Sequence, residues 1–324
     1  MDLKTAIQAP IKQEFEVFKE YYNAQFSSEI PLLNSTLCSV SSSVGKMMRP
    51  MLLLLAAKSC GAVSSVTHAA AASLELLHTA SLLHDDVVDE SAMRRSLPSL
   101  NALYGNRIAI LTGDYLFSLS LSNAAKTKNI EIIEQLSQLG CALSSGEIMQ
   151  LQVQRNGVYD EENYLNIIKG KTASLFASCA FIGALSAGAS EAVAAAFRKF
   201  GELLGICFQI KDDIFDYYTS DIGKPTGSDM REGKITLPAL YVLRTSSEPF
   251  VAAIKRKLAE GKELGEMEIE SLIELAKKEG GVQYALDKIE QLRIEALACL
   301  PQAIPDDCRD ALLAYLDYVI SRVK

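Results

Sequence analysis

The sequence predicts an all-α protein, and three observations lead to that prediction. Apolar residues recur three and four positions apart through Val66–Val88, Ala192–Phe215 and Glu268–Leu300, which is the spacing of one helical face. Alternating strand patterns are scarce, and only 9 prolines interrupt the 324 residues. Hydrophobic residues make up 49% of the chain, enough for helices to pack on one another around a substantial core.

We expect these helices to form one large helical domain over residues 1–324. The breaks between elements have the composition of turns, and none resembles a domain linker. No internal repeat of fixed period is present. The predicted breaks are Ile30–Pro31, Gly61, Leu97–Pro98, Gly105–Asn106, Asn156–Gly157, Asp221–Gly227 and Gly261–Gly265.

Charge and cysteine usage exclude several classes of protein. The net charge of −8 lacks the basic footprint of a nucleic-acid-binding protein. The 7 cysteines are scattered without a C-x-x-C pair, which predicts reduced, mostly buried thiols in a cytoplasmic protein. The N-terminal twenty residues carry charge throughout, and the apolar run Met51–Ala57 is too short to cross a bilayer. We therefore expect a soluble protein without a transmembrane segment.

Two acidic motifs share the spacing D-D-x-x-D, and each ends an apolar helix. The first covers Asp85–Asp89 and the second covers Asp212–Asp216. Side chains four apart lie on one helical face, so their like charges repel unless a cation lies between them. Two such helix ends that face each other across a central cavity would offer only oxygen ligands. Such sites favour Mg²⁺, which takes its remaining ligands from water and substrate phosphates.

Cationic residues form two groups that could neutralise two diphosphates. Lys171-Thr172 is expected to open an apolar helix, where free N–H groups favour an anion. The other candidate cations are Lys46, Arg49, Arg94, Arg95, Lys224 and Lys234. A site that binds two diphosphates, only one of them through metal ions, is what carbon–carbon bond formation between two diphosphate substrates would need. The metals polarise the departing diphosphate, and the double bond of the second substrate attacks the allylic cation.

In family order, these motifs resemble those of the trans-isoprenyl (polyprenyl) diphosphate synthases. The resemblance covers almost the whole chain. It rests on Gly45–Pro50, His78–Asp89, Arg94-Arg95, Lys171-Thr172-Ala173, Phe208–Asp216, Gly223–Asp229 and Arg322. It implies an isoprenoid-synthase type of helical bundle, a homodimer and three Mg²⁺ per active site with substrate bound. The implied substrates are isopentenyl diphosphate and an allylic diphosphate such as farnesyl or geranylgeranyl diphosphate.

The resemblance also implies a role for each matching residue. Asp85, Asp89 and Asp212 would bind Mg²⁺, supported by Asp86, Asp213, Asp216 and Asp229. Arg94, Lys171, Lys224 and Lys234 would hold the allylic diphosphate, whereas Lys46, Arg49, His78 and Arg95 would hold isopentenyl diphosphate. Thr172 and Gln209 would steady the developing cation. The sequence departs from the family pattern at Met47-Met48, Ser96 and Lys211, which affects turn geometry and substrate tuning more than any proposed ligand.

The residues upstream of the first motif bear on product length, because the growing chain is expected to run along that helix. Ala80 and Ser81 lie one turn before Asp85 and are small where short-chain members carry a bulky aromatic residue. We therefore predict a product of C30–C50. Leu77 lies two turns upstream, and Leu116 or Phe117 could stop the chain deeper in the protein.

Three rival interpretations stay open at this point. Glu75-x-x-His78 has the spacing of a di-iron carboxylate site, but such a site needs two Glu-x-x-His motifs. A terpene cyclase would share the first aspartate motif and usually lacks the second. A non-catalytic subunit of a heteromeric synthase would typically have lost aspartates or arginines that this chain retains. A short-chain farnesyl or geranylgeranyl diphosphate synthase is the alternative within the family.

Overall fold

The structure is a computed structural model that describes residues 3–43, 45–94, 97–218 and 226–322. The prediction of an all-α protein is confirmed. Strand structure in the described residues is limited to β1 (Met93–Arg94) and β2 (Leu97–Pro98), which pair antiparallel with Met93 opposite Pro98 and Arg94 opposite Leu97. The chain divides into two compact units, each built from three chain segments.

Unit 1 comprises residues 1–140, 175–198 and 301–315. Its helices and helical segments are α1 (Leu3–Gln8) followed by a 3-10 turn (Ala9–Ile11), α2 (Lys12–Asn23), α3 (Pro31–Ser42), α4 (Met48–Cys60), α5 (Ser65–Val88), α6 (Leu100–Tyr104), α7 (Asn106–Lys126), and the unit 1 parts of α8 (Ile130–Asn156), α10 (Ser174–Ser186), α11 (Glu191–Phe215) and α17 (Asp306–Ser321). α5 packs on α7, α4 and α2. Every residue from 51 to 57 of α4 is buried, so α4 lies in the core of this unit.

Local sequence fixes the ends of α5, the helix that carries the first acidic motif. Ser64 and Thr67 form a capping box at its start, with the Ser64 backbone N–H donating to Thr67 Oγ1 at 3.2 Å. Such a box satisfies backbone donors that the first turn leaves without partners. The helix ends at Val88, and Asp89 N donates to Asp85 O at 2.8 Å. The first motif therefore lies in the last helical turn, as the sequence predicts.

Unit 2 comprises residues 141–174, 199–300 and 316–324. It contains α9 (Glu161–Ile168), a π-helical turn (Lys169–Ala173), α12 (Ser228–Arg231), α13 (Leu237–Thr245), α14 (Pro249–Ala259), α15 (Glu266–Lys278), α16 (Gly281–Cys299) and the remaining parts of α8, α11 and α17. α13 packs on α9, α15 and α16. The periodic stretch 268–300 is two helices, because Gly280 adopts a left-handed conformation (φ 82°) that interrupts the run. The expectation of one domain over 1–324 stays a prediction.

Two further expectations concern cysteines and membrane segments. All seven cysteines are free, but only Cys179, Cys207 and Cys308 are buried, so the prediction of mostly buried thiols is wrong. Among the described residues, one helical stretch, Glu161–Ser186, has the length and composition to cross a membrane. Of its apolar window, 61% is buried inside the protein, as in the core helix of a soluble protein.

Candidate active site

The first acidic motif, in unit 1, separates into exposed and buried carboxylates. Asp85 is half-buried and Asp89 is exposed at the end of α5. Asp86, between them, is only 2% exposed. Its Oδ2 accepts a hydrogen bond from Arg94 Nε at 2.7 Å, and its Oδ1 lies 2.6 Å from Arg94 Nη2 as an ion pair without hydrogen-bond geometry. Asp86 is thus held by one charge-assisted hydrogen bond and one close ion pair to the same guanidinium.

The Asp86–Arg94 pair changes the roles expected for both residues. Arg94 lies on β1, and the pair holds this strand against the end of α5. Because both Asp86 oxygens face the guanidinium, Asp86 could bind a metal only by giving up this pair. Asp85 and Asp89 are the carboxylates of the motif that reach solvent, and the metal roles of all three stay predictions.

The other predicted diphosphate-binding residues that the structure describes in unit 1 lie near the start of α4 and along α5. Lys46 is exposed, and the Arg49 guanidinium lies 5.0 Å from the centre of the Phe176 ring. His78 is 8% exposed and lines a small cavity together with Glu75, Gly45 and Arg94. The cavity therefore joins His78, from the predicted isopentenyl diphosphate group, with Arg94, from the predicted allylic diphosphate group, whereas Lys46 and Arg49 are not among its described lining residues. Arg95 lies outside the described residues.

The second acidic motif, in unit 2, shows a different division of roles. Asp212 Oδ1 forms an ion pair with Arg322 Nη2 at 2.9 Å. Arg322 also donates to Phe208 O at 2.7 Å and lies 3.9 Å from the centre of the Phe208 ring. The C-terminal end of the chain therefore contacts the turn of α11 that leads into the motif.

Asp216 is 8% exposed and holds the start of α12. Its Oδ1 accepts from the backbone N–H and the hydroxyl of Ser228, at 3.0 and 2.7 Å, and its Oδ2 accepts from Asp229 N at 3.1 Å. These are contacts of a helix cap, which satisfies the free donors of a first turn. Asp216 could serve as a metal ligand only by releasing some of them, and its metal role stays a prediction.

Asp213 lies at the centre of a buried hydrogen-bond network. Tyr164 Oη donates to Asp213 Oδ2 at 2.6 Å, and Gln209 Nε2 donates to Asp213 Oδ1 at 2.8 Å. Thr172 Oγ1 donates to Gln209 Oε1 at 2.7 Å. Burial raises the pKa of Asp213 to about 7, against the lowering effect of the Tyr164 and Gln209 hydrogen bonds, and the nearby Asp212 and Asp216 add to the rise.

Lys171 and Thr172 lie on a π-helical turn, Lys169–Ala173, within the continuous helical stretch Glu161–Ser186. The expectation that Lys171 opens a helix is therefore wrong, because the residues before it are already helical and leave no free N–H groups there. Lys171 Nζ forms an ion pair with Glu147 and donates to Gln150 Oε1 at 3.0 Å. Single π-helical turns are rare and are frequent at functional sites.

A cavity of about 200 Å³ within unit 2 collects most of these groups. Lys171, Thr172, Gln209 and Asp213 line it. Asp229 and Lys234 also line it; burial raises the pKa of Asp229 well above its usual value, with further contributions from Asp213 and Asp216. Lys234 Nζ contacts Glu232 Oε2 at 2.6 Å. Lys224 lies outside the described residues.

Three residues around this cavity are not predicted from the sequence. Tyr164 and Gln150 line the cavity, and Glu147 forms an ion pair with Lys171. Tyr164 precedes Lys171 by seven residues, which is two helical turns, so helical spacing could have indicated a shared face. Glu147 and Gln150 lie on α8, and nothing in the sequence predicts that they contact Lys171. Long-range contacts of this kind depend on how helices pack.

The donors present suit a hard divalent cation that is only partly coordinated by protein. Among the described residues, no group of three or more His, Cys, Asp or Glu side chains lies close enough together to hold a metal unaided. Mg²⁺ usually binds through one or two carboxylates and completes its shell with water and phosphate oxygens, and its binding to this chain stays a prediction. The first motif belongs to unit 1 and the second to unit 2, and their meeting at one site stays a prediction.

Comparison with known proteins identifies the family. The polyprenyl synthetase family model matches residues 30–275. The all-trans-nonaprenyl-diphosphate synthase (geranyl-diphosphate specific) of Rhodobacter capsulatus is 36% identical, over 100% of this chain and 99% of that protein. The crystal structure of geranylgeranyl pyrophosphate synthase from Bacteroides thetaiotaomicron is 45% identical, with a TM-score of 0.85 over 99% of this chain and 100% of that one.

A second solved structure bears on ligands. It is a polyprenyl synthase from Caulobacter crescentus complexed with calcium and isoprenyl diphosphate, 31% identical, with a TM-score of 0.89 and 98% of each chain covered. The resemblance inferred from the sequence motifs is confirmed. The chain belongs to the polyprenyl synthetase family and is a prenyltransferase.

Proposed function

We propose that this chain is a magnesium-dependent all-trans polyprenyl diphosphate synthase. It joins isopentenyl diphosphate to farnesyl or geranylgeranyl diphosphate and repeats the step to give a C30–C50 product. The observation that carries this proposal is the pair of D-D-x-x-D motifs, each at the end of an apolar helix. In each motif the first carboxylate is accessible while the second is buried against specific partners.

The proposed metal ligands are Asp85, Asp89 and Asp212, in a site formed by the two motifs. When bound, three Mg²⁺ would polarise the allylic diphosphate as a leaving group. Asp86 keeps Arg94 in place beside the first motif, and Arg94 and Lys171 neutralise the diphosphate. Asp216 shapes the α12 turn, which positions Lys234.

The protein's own side chains have distinct tasks around the allylic carbon. The oxygen of Thr172 lies at the edge of the unit 2 cavity, where its lone pairs can stabilise a developing positive charge. Gln209 accepts the Thr172 hydrogen and so keeps those lone pairs available. Lys46, Arg49, His78 and Arg95 hold isopentenyl diphosphate, and the departing diphosphate is the base for the final proton.

A direct test is to assay the purified chain alone. Labelled isopentenyl diphosphate is supplied with geranyl, farnesyl or geranylgeranyl diphosphate, with Mg²⁺ or with EDTA. We expect incorporation that requires Mg²⁺ and is lost in Asp85→Asn and Asp212→Asn. Incorporation that survives chelation would contradict the metal role, and incorporation only after a second protein is added would favour the non-catalytic subunit.

Small residues on α5 support the long product. Ala80 is 1% exposed and Ser81 is half-buried, and both side chains are small where a bulky aromatic residue would limit the chain. Ala80→Tyr should shorten the product, as separated by reverse-phase thin-layer chromatography. Unchanged chain lengths would contradict the proposed path along α5.

A geranylgeranyl diphosphate synthase is the second candidate, because the 45% identical structure carries that name. The two candidates differ in the wild-type product. A C20 product that does not lengthen with excess isopentenyl diphosphate would favour the shorter enzyme.

The homodimer expected for this chain finds support on α7. Ile110, Phe117 and Leu121 recur at helical spacing on one face and are all exposed, and a second copy would bury them. Light scattering should give twice the 35.3 kDa subunit mass. Ile110→Glu with Leu121→Glu should give monomer, whereas a dimer that survives both changes would place the interface elsewhere.

The absence of disulfides among the cysteines supports the proposed cytoplasmic location.

A further inference from the structure

We propose that Tyr164 is a positioning residue for this reaction, which sets the orientation of the Thr172 hydroxyl through Asp213 and Gln209. The inference rests on the proposed role of Thr172 at the developing cation. Tyr164 does not itself touch the reacting atoms. It acts through three consecutive hydrogen bonds of 2.6, 2.8 and 2.7 Å, all within unit 2.

The first step is the occupation of Asp213. Tyr164 is 7% exposed on α9, and burial raises its pKa well above the usual value, so its hydroxyl is a neutral donor. Its hydrogen goes to Asp213 Oδ2. Asp213 Oδ1 is then the oxygen that accepts from Gln209. Tyr164 thereby fixes which oxygen of Asp213 faces Gln209, which lies one turn earlier in α11.

The second step is the orientation of the Gln209 amide. An amide has one accepting end and one donating end. Because its NH₂ group donates to Asp213, its carbonyl oxygen must face Thr172. A reversed amide would place a carbonyl oxygen against the Asp213 carboxyl and an NH₂ group against Thr172.

The third step sets the polarity of the Thr172 oxygen. A threonine hydroxyl has one hydrogen and two lone pairs. Since the hydrogen is donated to Gln209, the cavity meets the lone pairs of the oxygen and not its O–H. Lone pairs attract a developing allylic cation, whereas an O–H dipole pointing into the cavity would oppose it. A hydrogen bond made by Tyr164 on α9 therefore determines whether the lone pairs or the O–H of Thr172 face the cavity.

Tyr164→Phe tests the first link and keeps the ring volume. We expect kcat to fall on the order of tenfold, the size of one lost hydrogen bond. KM for both diphosphates should stay within roughly twofold, since the interaction is used in the transition state and not in binding. A Tyr164→Phe protein with the wild-type thermal midpoint and the wild-type kcat would overturn the proposal.

Tyr284→Phe is a matched control from the same unit. Tyr284 Oη also donates to a carboxylate, Glu161, at 2.8 Å. Glu161 keeps its contacts with Arg244 and Lys288 when the hydroxyl is removed. This variant loses the same kind of bond away from Thr172, so its kcat should match that of the wild type. An equal loss of kcat in Tyr284→Phe would mean that general loosening explains the effect, and would overturn the proposal.

A double-mutant cycle separates this inference from the proposed function. If Tyr164 acts through Thr172, Tyr164→Phe should cost nothing further in a Thr172→Val background. Additive losses, with Thr172→Val itself impaired, would overturn the positioning role alone. A Thr172→Val protein with full kcat would overturn the role of Thr172 at the cation, and the positioning role with it. Should Tyr164→Phe fail to fold, Gln209→Leu breaks the next link, and full kcat in that variant would overturn the relay.

Discussion

Gly146 of α8 is the position where a single added methyl group should disturb the active site most directly. A Cβ atom at Gly146 would lie 2.9 Å from Lys171 N, 3.0 Å from Lys171 Cγ and 3.1 Å from Gly170 C. Ordinary contacts begin near 3.4 Å. Two of the three atoms are backbone, so the π-helical turn that carries Lys171 and Thr172 would have to move by about 0.5 Å, the difference between the shortest distance and an ordinary contact.

The expected size of the effect follows from that displacement. Gly146→Ala gains about 1 kcal/mol of helix propensity and loses about 1–3 kcal/mol to overpacking, so the protein should fold with a modestly reduced stability. Because a 1 Å misplacement of catalytic groups can cost about a hundredfold, a shift of half that size should lower kcat/KM roughly tenfold. The measurement is steady-state incorporation of isopentenyl diphosphate, together with thermal unfolding followed by circular dichroism.

Gly140 of the same helix supplies the matched control. A Cβ there would meet only Phe117 Cε2, at 3.9 Å, which is an ordinary contact. Gly140→Ala should therefore raise the thermal midpoint by about 2 °C and leave kcat/KM unchanged. If Gly146→Ala behaves in the same way as Gly140→Ala, the close approach of α8 to the π-helical turn does not constrain Lys171, and the reasoning is refuted.

Three further predictions follow from contacts of other residues. Asp86→Asn should remove the ion pair with Arg94 and lower the free energy of unfolding by about 2 kcal/mol, as measured by urea denaturation. An unchanged value would contradict the importance of that pair. Glu147→Gln should release Lys171 and tighten the binding of inorganic pyrophosphate roughly threefold, as measured by titration calorimetry; weaker binding would contradict a competing role for Glu147. Burial lowers the pKa of His68 below 6.5, with Glu14 opposing the shift. The unfolded chain therefore binds the proton first, and stability should be lost as pH falls below about 6.5. The free energy of unfolding of His68→Gln should fall less steeply between pH 6.5 and 5 than that of the wild type, and equal slopes would contradict the assignment.

The sequence predicted the acidic helix ends because both depend on local information. Helical spacing placed Asp85 and Asp89 on one face, and the ends of α5 and α11 lie where the periodicity stops. Composition and the lack of alternating patterns were enough for the helical class. The break at Gly280 within 268–300 was missed, since apolar spacing continues across a single left-handed residue.

What the sequence could not predict is which carboxylates of each motif would be exposed and which would be buried. The two motifs have the same spacing, yet Asp89 is exposed and the corresponding Asp216 is buried at the start of α12. The difference comes from the segment that follows each motif, because one returns as a short strand and the other as a capped helix. Spacing describes a single helix, whereas these outcomes depend on its neighbours.

The second aspartate of each motif makes the same point about partners. Asp86 is buried against Arg94, a charged side chain, and Asp213 is buried against Tyr164 and Gln209, which are neutral. Burial raises the pKa of Asp213, and the hydrogen bonds from Tyr164 and Gln209 oppose that rise. The second aspartate of the motif therefore has different partners in the two units. Asp86 fixes a cation beside the first motif, whereas Asp213 accepts from Tyr164 and Gln209 and so begins the chain of hydrogen bonds that ends at Thr172. Motif spacing is identical in the two cases, so this difference follows only from which side chains each unit packs against the second aspartate.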